Sequence, residues 1–438
     1  MRTLLSKKDI VFVSFMLFSM FFGAGNLIFP PFLGQSSGDQ AWLSLIGFIL
    51  SAVGLPILGV VAIAKAGSFQ GLAGRVHGLF AIIFPFLIYV SIGPGLAIPR
   101  AGSLAFEMGM APFLPEAWAQ SRISLLMYTL LFFAVVWWLS LSPSKLVDRF
   151  GKLLTPTLLA LIGIIYVKSW FTPLGSPTDP AGGYAAHPVI QGFLDGYLTM
   201  DALAALVFGI VVANTLKSKG VVEKKSLSSN MVLAGLGAGM LLTVIYVILG
   251  ILGSSQISAD MAENGAQILT ILMSKLFGES GALLLGVVFT VACLCVSIGL
   301  VTSCSQYFHQ LFGKPSYAGW VTILSILSMG VANLGLTEIL SVSVPILGLI
   351  YPMAIVLILL ALAERVIPPH SFVYVTAVGV VALFGIVDLV NTVFFAHQWD
   401  KWLIELPFYK EGAGWVMPAL LGGCAGMLFD FKARAGSK

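Results

Sequence analysis

Charged residues are scarce in this sequence of 438 residues. Only 10% of them are Asp, Glu, Lys or Arg, whereas 58% are hydrophobic. Soluble domains contain about 25% charged and about 45–50% apolar residues. A soluble core could not hide this much apolar surface from water, so most of the chain must have lipid as its solvent. This excludes soluble enzymes, nucleic-acid-binding modules and secreted disulfide scaffolds.

Cysteines and catalytic motifs are equally sparse. Three of the four cysteines, Cys293, Cys295 and Cys304, lie in one apolar segment, where helical geometry is a poor frame for a disulfide. There is no HExxH, no GxSxG and no phosphate-binding GxxxxGK[ST] motif. We therefore expect no enzyme, no bound cofactor and no transport driven directly by ATP.

Long apolar runs dominate what remains. A helix that spans a bilayer needs about 20 mostly apolar residues, and this window predicts an all-α membrane protein with about twelve transmembrane helices. The continuous runs do not alternate as the strands of an outer-membrane barrel do. The predicted helices are Val11–Phe32, Trp42–Ala64, Leu79–Leu104, Ile123–Leu141, Leu146–Trp170, Gln191–Leu216, Leu227–Leu252, Gly281–Phe308, Ala318–Leu334, Glu338–Ala363, Phe372–Phe395 and Trp415–Phe431.

The Lys and Arg residues predict the orientation. With the N-terminus in the cytoplasm, the inner side receives 17 of them and the outer side, together with the helices, receives 6. This asymmetry follows the positive-inside rule and predicts a multi-pass protein with both termini cytoplasmic. No A-x-A cleavage site follows the first apolar run, so we expect that run to be a retained helix.

Two longer connections predict how the single polytopic domain, residues 1–438, is organised. Lys65–Gly78 lies on the inside and Ser254–Ser280 lies on the outside. If the chain consists of two five-helix repeats and one of them is inverted, these connections occupy equivalent places. The first repeat would comprise residues 10–170 (helices 1–5) and the second residues 191–363 (helices 6–10). Residues 372–431 would add helices 11 and 12.

The first predicted helix contains residues that interrupt a helix. Gly23, Gly25, Asn26, Pro30 and Pro31 lie within ten residues, and glycine and proline are poor in helix interiors. A break at membrane depth is tolerated only where it faces protein or a watery cavity. Transporters use the freed backbone groups to bind anions and cations. The alternative is a stripe of small residues that packs helices together.

Helix six contains the second set of unusual residues. Asp201 lies well within a membrane segment, where a carboxylate costs about 2.5–3.5 kcal/mol and is functional by default; the alternative is a capping or interhelical hydrogen bond. We interpret Asp195 as a boundary charge and Asp388, in helix eleven, as structural. In helix three, Pro94 and Pro99 predict a kink, and Arg100 either snorkels outward or forms an outer gate with an acid.

These motifs identify a resemblance to a known family. Phe22-Gly-Ala-Gly-Asn-Leu-Ile-Phe-Pro-Pro31 resembles the opening helix of bacterial branched-chain amino acid:cation symporters. Ser91-Ile-Gly-Pro-Gly-Leu-Ala-Ile-Pro-Arg100, Gly196-Tyr-Leu-Thr-Met-Asp201 and Ile350-Tyr-Pro352 are similar to their later motifs, in the same order along nearly the whole chain. The resemblance implies the leucine-transporter-type fold with an inverted 5+5 repeat and broken helices 1 and 6. It also implies import of leucine, isoleucine and valine through alternating access, in the bacterial cytoplasmic membrane.

The resemblance also implies a substrate site at the two breaks. The amides of Ala24 and Gly25 would receive the carboxylate, the carbonyls near Thr199 would receive the ammonium, and Asp201 would neutralise it. Tyr89 and Phe208 are candidates, by position, for the pocket of the apolar side chain. The implied substrate-binding residues are thus Gly23, Ala24, Gly25, Asn26, Tyr89, Thr199, Asp201 and Phe208.

The coupling ion has two alternatives. Sodium is the first. The resemblance implies that it would lie between carbonyls of helix one and groups of helix eight, at Ser19, Phe22, Ala292, Cys295 and Ser297. Sodium prefers hard oxygen ligands, which the thiol of Cys295 and the isopropyl group of Val296 do not supply, so Ser297 would have to substitute. The second alternative is a proton carried by Asp201.

Other classes of function explain the sequence less well. A membrane enzyme that acts on a lipid would need polar catalytic residues on one membrane face, and a channel does not explain two separate helix breaks. We expect the partners to be an amino-acid substrate, the coupling cation and the bilayer, with no nucleic acid and no obligate protein partner.

Overall fold

The computed structural model describes residues 5–255, 262, 264–395, 398–410 and 412–436; for residues 147, 336–337, 340, 343–344 and 433–436 it describes the backbone alone. Within this part of the chain the regular structure is helical. No β-strand occurs in these described ranges, where Pro177 and Ser255 form an isolated antiparallel bridge. The prediction of an all-α protein is therefore confirmed.

Ten α-helices make up the first part of the described chain. They are α1 (Lys7–Phe21), α2 (Ala24–Ser37), α3 (Ala41–Ile49), α4 (Leu55–Ala66), α5 (Phe69–Ala73), α6 (Phe80–Val90), α7 (Ala97–Gly109), α8 (Glu116–Ala119), α9 (Arg122–Ser140) and α10 (Thr155–Trp170). Short π-helical segments, Leu50–Gly54, Ser91–Gly95 and Val147–Leu154, join α3 to α4, join α6 to α7 and lead into α10. The predicted kink of helix three lies in the second of these segments, at Gly93 and Pro94.

Eleven further α-helices follow. They are α11 (Gly183–Ala186), α12 (Pro188–Tyr197), α13 (Asp201–Ser218), α14 (Lys224–Ser254), α15 (Gly265–Phe277), α16 (Ser280–Phe312), α17 (Tyr317–Ala332), α18 (Leu336–Leu362), α19 (Phe372–Phe394), α20 (Asp400–Leu403) and α21 (Val416–Gly436). The helices α5 and α15 lie in the two long connections that the sequence analysis singled out.

Nine helical segments of the described residues are long and apolar enough to cross a membrane. Two more apolar helices, α15 and α17, are shorter. A multi-pass membrane protein is thus the fold class, as predicted. The number of twelve spans and the division into repeats at residues 10–170 and 191–363 stay predictions.

The chain is extended between α1 and α2. Gly23 has φ −122° and ψ −160°, and its N–H donates a 3.0 Å hydrogen bond to Oδ1 of Asn26, which caps the start of α2. A Cβ atom on Gly23 would lie 2.9 Å from Cγ1 of Val296 in α16. Real Cβ atoms do not approach so closely, so glycine at this position lets α16 pack directly against the extended segment.

The chain is also interrupted between α12 and α13. Met200 has φ 65°, in the left-handed region that non-glycine residues seldom adopt. The hydroxyl of Thr199 donates a 2.9 Å hydrogen bond to the carbonyl oxygen of Gly196 and accepts a 3.4 Å hydrogen bond from the Asp201 N–H. These local bonds satisfy backbone groups at the point where the helical hydrogen-bond ladder stops.

The packing of the helices brings the two interruptions together. The long helix α14 packs against both α1 and α2, while α13 packs against α4 and α16. The short helix α15 packs against α2, and α5 contacts α13. Each short helix therefore lies against the half-helix that follows a break.

Candidate functional site

A small cavity lies between the two interruptions. Its volume of about 30 Å³ is enough for about one or two water molecules. Pockets that hold organic ligands usually measure about 300–1,000 Å³. Six of the eight predicted substrate residues line this cavity: Gly23, Ala24, Gly25, Asn26, Thr199 and Asp201.

Asp201 accepts hydrogen bonds in a buried network that joins the two breaks. Its Oδ2 accepts a 2.6 Å bond from Nδ2 of Asn26 and a 3.0 Å bond from the hydroxyl of Tyr246. The Asn26 amide and the Tyr246 hydroxyl also contact each other. Only 2% of Asp201 is exposed. Such burial of a carboxylate is tolerated because these donors and the start of α13 stabilise its charge.

Tyr246 is a residue of this network that the sequence analysis missed. It lies in the middle of α14, is fully buried, and packs edge-on against the ring of Phe48, with centroids 5.2 Å apart. Its hydroxyl, within the apolar part of α14, was a weak local signal. Its partners are 45 and 220 residues away in the sequence, so the pairing itself had none.

The start of α2 offers backbone N–H groups to the same cavity. The first N–H groups of a helix have no partner within it and lie at the positive end of its dipole, so they suit an anion. Ala24 and Gly25 occupy these positions and line the cavity. A Cβ atom on Gly25 would lie 3.1 Å from the ring of Phe29 and 3.2 Å from Nη2 of Arg100. Any larger residue would therefore crowd this end of the cavity.

Arg100 points into the protein. It lines the cavity, lies beside Gly25 and interacts electrostatically with Asp201. Of the two interpretations of Arg100, an outward-snorkelling side chain and a charge that faces an acid, this position favours the second. The cation and the carboxylate belong to different helices, so their separation depends on how those helices pack.

Aliphatic and aromatic side chains form the remaining lining. Ile92, Ala204, Val296 and Leu300 line the cavity together with Phe21. They come from the kinked third helix, from α13, from α16 and from the end of α1. The cavity is consequently polar at the breaks and apolar on its other sides.

Tyr89 and Phe208 do not line this cavity. The ring of Tyr89 stacks on Tyr307 with centroids 3.9 Å apart, and its hydroxyl donates a 3.3 Å hydrogen bond to the carbonyl oxygen of Val207. Phe208 is fully buried and packs against Phe21 with centroids 5.4 Å apart. Phe208 thus packs against the lining residue Phe21 without lining the cavity itself. Other residues form the apolar part of the lining.

Two of the five predicted cation ligands contact each other. Ser19 lies in α1 just before the break, and its hydroxyl contacts both the hydroxyl of Thr155 in α10 and the thiol of Cys295. Thr155, which the sequence analysis did not select, donates a further 2.8 Å hydrogen bond to the carbonyl oxygen of Phe15. The Thr155 hydroxyl of α10 therefore contacts a hydroxyl and a carbonyl oxygen of α1.

The other three predicted cation ligands, Phe22, Ala292 and Ser297, are buried. Phe22 is part of the extended segment, so its carbonyl group follows the last turn of α1. Ala292 and Ser297 are fully buried in α16, and the Ser297 hydroxyl makes no hydrogen bond with any described residue. Further along α16, Ser303 donates a 2.8 Å hydrogen bond to the carbonyl oxygen of Gly299.

The side chains of the other two predicted acids, Asp195 and Asp388, do not line this cavity. Asp195 accepts hydrogen bonds from the Tyr184 hydroxyl and, at 3.3 Å, from the Gln191 amide. Burial raises the pKa of Tyr184, and the nearby Asp195 carboxylate raises it further. Asp388 accepts a 2.8 Å hydrogen bond from the hydroxyl of Tyr409. Both acids thus have partners at the edge of the helical bundle.

A helical membrane fold with a cavity between two interrupted helices is found in many secondary transporters. The crystal structure of MhsT in complex with L-phenylalanine is similar to this chain with a TM-score of 0.57. The alignment covers 96% of this chain and 99% of that one at 15% sequence identity, so it shows a shared fold. This confirms the prediction of the leucine-transporter-type fold.

The chain belongs to the family of branched-chain amino acid transport proteins, whose sequence profile matches residues 6–433. It is 46% identical over 430 residues to the branched-chain amino acid permease BraB of Bacillus subtilis, with 97% of this chain and 96% of the relative covered. It is 41% identical to the branched-chain amino acid transport system 2 carrier protein of Pseudomonas aeruginosa, with 94% and 93% covered. These relatives are transporters and not enzymes, and the predicted family is confirmed.

Proposed function

We propose that this chain imports leucine, isoleucine and valine by sodium symport, through alternating access at the cavity between the two breaks. The observation that carries the proposal is the Asn26–Asp201 hydrogen bond, which joins the breaks beside a cavity that is otherwise lined mainly by apolar side chains. The names of the relatives favour the same substrate class. The protein would lie in the cytoplasmic membrane, with both termini on the cytoplasmic side.

The chemistry of the lining suits a zwitterion with an apolar side chain. The carboxylate would accept hydrogen bonds from the N–H groups of Ala24 and Gly25, near the positive charge of Arg100. The ammonium would donate to the Asp201 carboxylate and to the carbonyl groups at the second break. The side chain would lie against Val296 and Leu300 in α16, where aliphatic contacts favour a branched hydrocarbon.

Binding would require the lining to move. A cavity of about 30 Å³ cannot contain an amino acid of leucine size. Val296 lies directly against Gly23, so separation of α16 from the first break would enlarge the site. Rocking of the helices that carry the breaks against their scaffold is the motion that alternating access needs.

Sodium coupling is supported by the oxygen atoms around Ser19. The Thr155 hydroxyl contacts the Ser19 hydroxyl and donates a hydrogen bond to the carbonyl oxygen of Phe15. All three groups offer oxygen atoms, which hard cations prefer as ligands. Ion binding beside the end of α1 would order the first break, which the substrate also uses, so each would increase the affinity for the other. No cofactor and no obligate protein partner form part of the proposal.

Proton coupling is the second candidate, and the burial of Asp201 favours it. A carboxylate with 2% exposure can lose its proton only when partners or solvent stabilise the charge. Movement of Asn26 or Tyr246 away from Asp201 would then change its proton affinity in the course of the transport cycle.

Leucine uptake into proteoliposomes, with a sodium gradient and a proton gradient imposed separately, tests both candidates. Accumulation driven by sodium at equal pH on both sides would support the first. Accumulation that requires a proton gradient and persists without sodium would reject sodium and favour Asp201 as the carrier. Absence of accumulation under either gradient would contradict the proposed substrate.

A further inference from the structure

Arg100 brings a positive charge into the central cavity, and the chain offers its side chain little in return. Its charge interacts with that of Asp201, but the described part of the chain shows no hydrogen bond or close ion pair of this guanidinium. A guanidinium has five N–H groups to donate and stays charged in proteins. The cavity has room for about one or two water molecules, too few to satisfy these donors.

The guanidinium of Arg100 lies over the start of α2. Its Nη2 atom is 3.2 Å from the position that a Cβ atom on Gly25 would occupy, and Gly25 is the second residue of that helix. The N–H groups of Ala24 and Gly25 have no partners within the helix. A helix start carries a partial positive charge, which disfavours a cation beside it. Arg100 is therefore favourable at this place only if an anion lies between it and these N–H groups.

Two further helices begin at the same cavity. Ala97 is the first residue of α7 and Asp201 is the first residue of α13, and both line the cavity. The helix α7 starts after the kink of helix three and has no side-chain cap. Three positive helix ends and one guanidinium thus surround a cavity in which Asp201 supplies the one carboxylate among the described lining residues. Their combined charge favours a second anion.

Asp201 differs from Arg100 because its charge already has partners in the chain. Its Oδ2 accepts hydrogen bonds from Nδ2 of Asn26 and from the hydroxyl of Tyr246. A ligand therefore gains less from a group that donates to Asp201 than from a group that accepts from Arg100. An anionic acceptor with two oxygen atoms, a carboxylate, matches the planar fork of the guanidinium.

We propose that Arg100 is the carboxylate anchor of the central cavity, and that this anchor admits branched-chain 2-hydroxy acids as well as amino acids. The N–H groups at the start of α2 bind the carboxylate from the side opposite the guanidinium. The hydrocarbon chain lies against Val296 and Leu300, as that of leucine does in the proposed function. This second substrate class rests on the proposed function, because it uses the same cavity and the same enlargement of it.

Asp201 sets a second requirement, on the group attached to C2 of the ligand. An ionised carboxylate only accepts hydrogen bonds, so the group beside it must donate. An ammonium and a hydroxyl both donate. A keto oxygen does not, and its lone pairs face those of the carboxylate. The cavity therefore excludes 2-oxo acids, although they have the same carboxylate and the same hydrocarbon chain.

Displacement of radiolabelled leucine from the purified full-length protein tests the proposal with three analogues that share the hydrocarbon chain of leucine. We expect 2-hydroxy-4-methylpentanoate to bind about tenfold more weakly than leucine, because a hydroxyl replaces the ammonium beside Asp201. Leucinamide keeps the ammonium but loses the charge that pairs with Arg100, and should bind roughly a hundredfold more weakly than leucine. The oxo acid 4-methyl-2-oxopentanoate should bind about tenfold more weakly than the hydroxy acid.

Variants of Arg100 test the anchor itself. Arg100→Gln should abolish binding of the hydroxy acid and reduce the preference for leucine over leucinamide from roughly a hundredfold to less than about tenfold. Arg100→Lys keeps the charge but not the fork, and should retain part of this preference. Arg122→Gln is the matched control, because Arg122 is exposed at the start of α9. The ratio of two affinities does not depend on how much of a variant is folded.

Three results would overturn the proposal: leucinamide that binds the wild type as tightly as the hydroxy acid, an oxo acid that equals the hydroxy acid, or an Arg100→Gln variant that keeps the wild-type order of ligands. If leucine does not bind, the proposed function fails, and direct binding of the radiolabelled hydroxy acid decides the anchor. Saturable binding that Arg100→Gln removes and Arg122→Gln keeps would support it. Absence of such binding would reject it.

Discussion

The side-chain amide of Asn26 donates a 2.6 Å hydrogen bond to the carboxylate of Asp201, across 175 residues of sequence. Asn26 lies in the first turn of α2 and Asp201 is the first residue of α13. One hydrogen bond thus connects the two points at which the transmembrane architecture is interrupted. A change at either residue should therefore affect binding more than folding.

Asp201→Asn should severely impair the transporter. The variant keeps the shape of the side chain but removes its charge, and hydrogen bonds to charged groups are worth about 1.5–3 kcal/mol. Leucine binding should weaken by roughly ten- to more than a hundredfold, as measured with purified protein. Asp195→Asn is the matched control and should bind leucine normally. Wild-type kinetics in Asp201→Asn would make this acid structural.

Tyr246→Phe should have a smaller effect in the same direction. The change removes a 3.0 Å hydrogen bond to Asp201 and keeps the ring that packs against Phe48. A net loss of about 0.5–1.5 kcal/mol corresponds to a roughly two- to tenfold higher KM for leucine uptake. Tyr128→Phe, whose hydroxyl contacts Thr290 away from the breaks, is the control. An equal effect of both variants would argue against a specific role of Tyr246.

Gly23→Ala should reduce uptake, and Val296→Ala should restore part of it. The added methyl group would meet Cγ1 of Val296 at 2.9 Å, and overpacking of this kind costs about 1–3 kcal/mol. Truncation of Val296 removes the contacting atom. A double-mutant cycle on leucine binding should therefore show a favourable coupling energy. Strictly additive effects would mean that the close approach of α16 has no bearing on the site.

Thr155→Val should raise the sodium concentration that gives half-maximal uptake. It replaces a hydroxyl that contacts Ser19 and the carbonyl group of Phe15 by a methyl group. One lost oxygen ligand or supporting hydrogen bond, at about 1 kcal/mol, predicts a roughly fivefold change. In the control Thr157→Val, the lost hydroxyl bonds only the carbonyl oxygen of Leu153 in its own helix. If Thr155→Val leaves sodium dependence intact, the ion binds elsewhere or a proton drives transport.

Six of the residues that line the central cavity could be selected from local sequence. Glycine, asparagine and proline within one apolar run, and a carboxylate within another, conflict with helix formation in lipid, and the conflict is visible without knowledge of the fold. The apolar lining could not be predicted in this way. Tyr89 lies just before the kink of helix three and Phe208 lies two turns after the second break, but the rotation of their helices directs them towards Tyr307 and Phe21.

The sequence by itself determined the helical membrane class and the family and predicted two helix interruptions, because lipid permits few backbone structures and makes every polar exception conspicuous. The tertiary structure alone decided that Tyr246 contacts both Asn26 and Asp201, that Thr155 contacts Ser19 in α1, and that Arg100 faces inward. It also decided that the Tyr409 hydroxyl contacts both Asp388 and Asp400. Such contacts depend on the packing and rotation of helices far apart in the chain, and neither quantity leaves a local signal in the residues concerned.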